Sequence, residues 1–518
     1  MKQPGSSTPS PSGQVPTHSA AEDAPAPDGR RSIWRDGSFV GLTISQFLGA
    51  FNDNLYKQMM LLLAIPATPG MPDQQDIATI VFSLPFVIFS GISGFLADRF
   101  SKTNVIVYAK AAEILAMGLG MLAFLNFAST GFTGLLIVLF LMGAHSTFFG
   151  PGKYGILPEL FTTKQLPQVN GLILMTTFLA IIFGTVTAGL LSDLLVDDQQ
   201  PLEQSARQLW KGSALCIGIA IAGWVVSHWI RRVPAAQPQL RMRFDSWTIP
   251  RETMAFLRTD KPLVGALVAS SVFWLVSGVA ILAVNSLGKV QLALSETATS
   301  IMTAFIGLGI AAGAVLAGKL CRGEANPRII RAGLWGIVLT LAVISISWKI
   351  GEGQATAGNA SVASGAAASM SLASTTQPGV TDSPICAEPP TSTDTAASGP
   401  PSAYRHLLGF TGSLPILALL GMSAGFFAIP LQVFIQSRPP DDQKGRMVAV
   451  MNQANFLAIL LSGVTYKLMN LVATAWDLPR SSLFAMMSLI VLPLLVWYHP
   501  RFGPRISSLE TAHEGASA

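Results

Sequence analysis

Apolar runs of about 20 residues, the length that crosses a bilayer as a helix, recur twelve times along this chain. They fall near residues 38–64, 77–97, 104–127, 133–157, 169–195, 211–230, 263–287, 297–318, 329–348, 406–435, 447–473 and 482–499. Lipid offers backbone N–H and C=O groups no partner, so each run must be a helix. The expected fold is an all-α integral membrane protein of twelve transmembrane helices. Hydrophobic residues make up 50% of the chain, charged residues 12%, and the mean hydropathy is +0.49. A soluble protein of this size would have too few polar side chains to cover its surface.

Cations set the topology. With a cytoplasmic N-terminus, the even-numbered connections lie inside. They hold Arg99, Lys102, Lys164, a run from Arg231 to Lys261, Lys319, Arg322, Arg328, Arg331, Arg438, Lys444 and Arg446. The odd connections hold only Arg207, Lys211, Lys289, Lys349, Arg405 and Arg480. Both termini are therefore expected inside. The net charge of +5 is then mostly a topology signal and gives no reason to invoke nucleic acid.

Composition divides the rest. Residues 1–32, rich in Pro, Ser and Gly and without an apolar h-region, read as a disordered cytoplasmic tail. Six-helix halves are expected at 33–230 and 262–499, joined by a basic cytoplasmic linker at 231–261 and followed by a tail at 500–518. Residues 350–404 form a Ser/Thr/Ala/Gly/Pro tract that cannot bury a core and reads as a flexible outer-side insertion. Cys216, Cys321 and Cys386 fall in a span, an inner loop and this tract, with no disulfide or metal-ligand spacing.

The chain repeats itself. GFLADRFSKTN (94–104) follows span 2, and AVLAGKLCRGE (314–324) follows span 8 with the same order of Leu, Ala, cation and apolar residue. FFGPGKYGILPELFTTKQLPQVNG (148–171) is echoed by FFAIPLQVFIQSRPPDDQKGRMVAVMN (426–452) at equivalent places in the two halves. Two such halves predict a pseudo-two-fold transporter with its site near the midplane between them.

GFLADRFSKTN resembles the loop signature of the major facilitator superfamily, matching it at Gly94, Asp98, Arg99 and Lys102. The resemblance implies that this loop locks the inner helix ends together in one access state. Gly318 stands where Asp98 has its repeat, which places the lock on one half only. FLGAFNDNLYKQ (47–58) and FFGPGKYGILPEL (148–160) together resemble the lysophospholipid transporter branch. GFFAIPLQVFIQ (425–436) and GRMVAVMNQAN (445–455) are similar to that branch's tenth and eleventh helices, except that Gln453 separates asparagines expected to be adjacent. Some members are fused to acyltransferases, whereas no acyltransferase domain follows residue 500 here. The resemblance implies alternating-access movement of lysophospholipid across the bacterial inner membrane, as a facilitator or flippase for lipid recycling with a functional link to an acyltransferase.

Polar residues inside the spans are the candidate site. At about 100° per residue, Gln46, Asp53 and Lys57 lie within roughly 40° on one face of span 1, with Asn54 beside them. A charge at the bilayer centre costs about 2.5 to 3.5 kcal/mol on insertion scales, so such residues pair or line a wet cavity. Asp53 and Lys57, one turn apart, are placed to do both, and the alternative is that they only neutralise each other and fix packing. In span 4, His145, Phe149, Gly152 and Lys153 share a face. Lys153 is suited to a phosphate as a point charge, or else snorkels at the inner end. His145 reads as a packing histidine or a proton carrier. Lys110 and Glu113 in span 3 read as a structural pair, and Lys467 has no assigned role. Asn170, Gln432, Gln436, Asn452 and Asn455 either line the cavity or serve as interhelical glue. Gly307, Gly309, Gly313 and Gly318 in span 8 read as close helix packing.

No nucleophile motif and no Gly-rich phosphate loop with its Lys and Ser/Thr is present, so neither an enzyme nor direct ATP drive is expected, and no cofactor is implied. Three function classes follow. A lysophospholipid facilitator leads, a proton-coupled transporter of a small amphiphile using Asp53 and His145 is second, and a non-transporting scaffold, which needs no intramembrane charges, is third.

Overall fold

In a computed structural model the described residues are 33–65, 73–162, 165–196, 200–239, 251–321, 326–349, 404–439 and 444–498. The expected tails at 1–32 and 500–518, nearly all of 350–404 and part of the linker lie outside them. The first long helix begins where Asp36 accepts hydrogen bonds from the N–H groups of Ser38 and Phe39, satisfying donors that a helix start leaves orphaned. Twelve helices of 16 residues or more follow among the described residues. They are α1 (Gly37–Leu63), α2 (Gln75–Arg99), α3 (Lys102–Leu125), α4 (Phe127–Gly155), α5 (Leu166–Leu195) and α6 (Trp210–Ser227). The second set is α7 (Lys261–Ser286), α8 (Glu296–Cys321), α9 (Pro327–Ile344), α10 (Gly409–Ser437), α11 (Lys444–Ala475) and α12 (Ser482–Trp497). Ten chain segments containing these helices are long and apolar enough to cross a membrane; α1, with its polar stripe, and α12, with 16 residues, are the other two.

Packing repeats with the sequence. In the first set α1 packs on α5 and α6, α2 on α4, and α3 on α4 and α6. In the second set α7 packs on α11 and α12, α8 on α10, and α9 on α10 and α12, which is the same pattern six helices later. The sets meet where α2 packs on α11 and α5 on α8, a pair of contacts that the same shift exchanges. Glycines allow the tightest crossing: a Cβ at Gly309, Gly313, Gly421 or Gly425 would strike the backbone of the facing helix, so α8 and α10 touch main chain to main chain.

One element departs from the all-α expectation. Spans 9 and 10 end and start short of their predicted limits, at Ile344 and Gly409. Among the described residues between them, β1 (Ser347–Lys349) pairs antiparallel with β2 (Tyr404–His406), on either side in sequence of the Ser/Thr-rich tract. A β-pairing at the mouth of a long insertion satisfies backbone groups where the helices have stopped.

A buried polar chain joins the two sets at the end carrying the α1–α2 connection. Gln58 donates to Asn285 (3.0 Å), Asn285 donates to Gln75 (3.0 Å), and Gln75 and Tyr466 both donate to Asp73 (3.1 and 2.6 Å). Lys467, unassigned in the sequence, lies 3.5 Å from Asp76. The Asp193 carboxylate accepts the N–H groups of Glu296 and Thr297 and so caps α8 from the end of α5 (2.7 and 2.9 Å). Lys289, on a π-turn after α7, pairs with Glu296 and donates to the Leu62 carbonyl. These contacts close that end of the bundle.

Candidate substrate pocket

Gln46 and Asp53 of α1 face a cavity of about 150 Å³ between α1, α3 and α4. This cavity lies inside the first six-helix set. A helix face chosen by period alone does not say which neighbour it meets, and α1 presents Gln46, Gly49, Ala50 and Asp53 to α3 and α4.

The pocket has three levels. At one end Lys153 donates to Gln46 Oε1 (3.2 Å) and lies 3.5 Å from the Thr177 hydroxyl. Gln46 is held in turn by Thr177 (2.8 Å) and donates to Thr176 (2.6 Å), so α5 orients the amide that receives the lysine. Among the described residues, every hydrogen-bond partner of the Lys153 ammonium is neutral. In the middle, Lys110 and Glu113 form a buried ion pair at 2.7 Å, with the Lys110 ammonium 5.1 Å from the centre of the Phe149 ring. Asn52, from the far side of α1, donates to Glu113 (2.9 Å) and to the Cys216 carbonyl (3.2 Å). At the third level Asp53 accepts a 2.5 Å hydrogen bond from Ser146, and its other oxygen lies 3.6 Å from His145 Nε2. That oxygen and His145 Nε2 are both buried and face each other without a hydrogen bond to any other described residue.

Several expectations change here. Asp53 and Lys57 form no ion pair: α4 supplies Ser146 and His145 to the carboxylate, and the Lys57 ammonium sits over the Phe82 ring instead, 5.2 Å from its centre. Asn54 turns back to donate to the Ala50 carbonyl (2.7 Å) and is not a pocket wall. Lys110 and Glu113 pair as expected, and both also line the pocket. Asn170, Gln432 and Asn452 are exposed and do not line this pocket, and Asn455 accepts from Ser270 (3.0 Å) as glue between α7 and α11. The side chain of Gln436 lies outside the described residues. At the opposite end of α2, Asp98 is exposed, its carbonyl accepting the Gln237 N–H (2.8 Å), and no Cβ-range neighbour approaches Gly94. Arg99 lies over Phe95 and Phe100, while Lys102 is buried and pairs with Glu159 of the short turn Leu157–Leu160. Lys102 therefore ties α3 to the end of α4 within one set. Sequence reasoning missed Lys110, Glu113 and Ser146 as site residues, although a charged pair in an apolar span was a visible signal.

Gly49 gives the pocket a sharp test. A Cβ there would overlap Lys110 Nζ, and only the lysine end can move away. Gly49→Ala, although favoured by helix propensity, is expected to pull Lys110 off Glu113 and so to cost stability as well as function. Uptake per folded protein should fall about tenfold, the equivalent of one charge-assisted contact.

Comparison with known proteins now has a site to attach to. The Major Facilitator Superfamily model matches residues 42–388. "Lysophospholipid transporter LplT" of Shigella sonnei (strain Ss046) is 30% identical over 321 residues, 60% of this chain and 73% of that protein. Its counterpart in Escherichia coli (strain K12 / DH10B) matches to the same extent. The chain belongs to the Major Facilitator Superfamily, in its lysophospholipid transporter branch. It is accordingly a multi-pass membrane protein of a transporter family. Solved transporters of the superfamily share the fold. The FucP transporter in the outward conformation superposes with TM-score 0.56 at 11% identity, covering 88% of this chain and 97% of FucP. A bacterial homologue of the iron transporter ferroportin, inward-facing, gives 0.55 at 15% identity over 90% of this chain and all 100% of that one.

Proposed function

We propose that this protein moves lysophospholipid across the bacterial inner membrane by alternating access, as a facilitator, with the pocket of the first six-helix set receiving the phosphate-bearing headgroup. One observation carries the headgroup assignment: a lysine held only by neutral partners, Lys153, at the end of a polar cavity in an otherwise apolar bundle. A carboxylate partner would have cancelled its charge, whereas Gln46 and Thr177 aim it and leave the charge to a ligand. An ammonium is a compact point charge that binds phosphate well. The cavity, at about 150 Å³, accommodates a headgroup and not an acyl chain, so the chain would lie outside it against apolar helix faces.

The positive-inside pattern supports a cytoplasmic side for both termini. The end closed by Gln58, Asn285 and Gln75 is then the outer one. Lysolipid delivered to the cytoplasmic leaflet would be consumed by an acyltransferase, and that removal sustains flow without ion coupling. Uptake of a labelled lysophospholipid panel into spheroplasts is therefore expected to persist, within about twofold, when an uncoupler collapses the proton gradient. The second reading has its own observation, the 3.6 Å approach of His145 to Asp53, a pair able to share a proton. Abolition of uptake by the uncoupler, with lipid supply unchanged, selects that reading.

A further inference from the structure

We infer that the α1 face carries two separate phosphate stations, the pocket at Lys153 and a second anion site at Lys57 at the level of the closed end of the bundle. The inference rests on the lysophospholipid reading above and adds the route that the headgroup takes. Three lysines lie along this route: Lys57, Lys110 and Lys153. Lys110 is neutralised by Glu113 at 2.7 Å. The other two make no ion pair with a carboxylate among the described residues. Lys153 is held by Gln46 and Thr177, and Lys57 has the Phe82 ring.

These two lysines cannot serve one phosphate at once. Lys153 bonds to Gln46, and Gln46 and Lys57 are eleven residues apart on one helix, a rise of about 16 Å. Between them stands Asp53, whose second oxygen faces His145 without a hydrogen bond, next to the already neutralised Lys110. A negative phosphate is repelled at that level, so its resting positions are the two ends. Lys57 is not a wall of the Lys153 pocket. Its neighbour Gln58 donates to Asn285, which donates to Gln75, so Lys57 stands on α1 at the level where the polar chain joins the two sets. When that chain parts, Lys57 is the first cation of the α1 face that an entering headgroup meets. Lys153 is the last before exit at the opposite end.

The route is tested by measuring influx and efflux of a fluorescent lysophospholipid against its concentration, in right-side-out vesicles, per folded protein. Lys57→Gln is expected to raise the half-saturating concentration for influx about tenfold and leave that for efflux within about twofold. Lys153→Gln should do the reverse. In each case the maximal rate falls in the other direction, since a facilitator's net flux vanishes at equal concentrations. Lys57→Arg, which keeps the charge, should restore wild-type influx. If Lys57→Gln does not reach the membrane, Lys57→Met replaces it. A change in both directions alike, or in neither, overturns the two-station route while leaving the transporter reading intact. Absence of any movement by the wild-type protein overturns the lysophospholipid reading, and the route with it.

Discussion

Glu113→Ala is expected to lower stability by about 3 to 5 kcal/mol and to abolish transport, because it strands the Lys110 ammonium in the interior. Both members of the pair are almost wholly buried, with side-chain exposures of 3% and 1%. Glu113 is also the acceptor for Asn52, so the same change leaves a buried amide with one partner fewer. The thermal midpoint of the detergent-solubilised protein reads the first effect, and uptake per folded molecule reads the second. A double variant separates them. Lys110→Met with Glu113→Leu removes both charges and fills similar volume, which is often neutral for stability. Its midpoint should return to near wild type while transport stays low, since the polar middle of the pocket is gone. A double variant as unstable as Glu113→Ala would show that the stranded charge is not the source of the loss.

The sequence made the helices legible because lipid leaves an apolar run no alternative to a helix, and the run lengths carry that signal directly. It also made the polar face of α1 legible, since Gln46 and Asp53 recur at helical spacing and both reach the pocket. Partner choice was not legible. Asp53 and Lys57 are one turn apart and look like a pair, but Ser146 and His145 come from α4, and one helix's period holds no information about its neighbour's rotation. The same gap hid the joint role of Lys110 and Glu113, which share a turn of α3 but meet Asn52 and Phe149 only through packing. The amides Asn170, Gln432 and Asn452, read as cavity walls or interhelical glue, do not line this pocket. Polar residues inside a span need a protein or water contact somewhere, yet the helix rotation sends these three away from the pocket. The β-pairing of Ser347–Lys349 with Tyr404–His406 was invisible because its strands are only three residues long and lie far apart in sequence. There, Tyr404 donates to the Asp477 carbonyl and His406 Nε2 lies 2.8 Å from the Ile344 carbonyl, so tertiary contacts decide the conformation. Burial lowers the His406 pKa below the ordinary histidine value, against an opposing pull from that carbonyl. The neutral ring thus suits this packed position.

Lys153 differs from Lys110 in a way that makes it the cleaner probe of function. Its ammonium has neutral partners, so its removal strands no carboxylate and should cost only about 1 kcal/mol of stability from lost hydrogen bonds. If its charge is kept for the phosphate of a passing headgroup, the loss should appear in transport and should depend on that phosphate. The direct measurement is the initial uptake rate, per folded protein, of a lysophospholipid and of a monoacylglycerol with the same acyl chain, in wild type and Lys153→Ala. The expected result is a fall of about tenfold or more for the phosphate-bearing lipid and a change within about twofold for the monoacylglycerol. An equal fall for both lipids, or no fall for either, would contradict the assignment of this pocket to the headgroup.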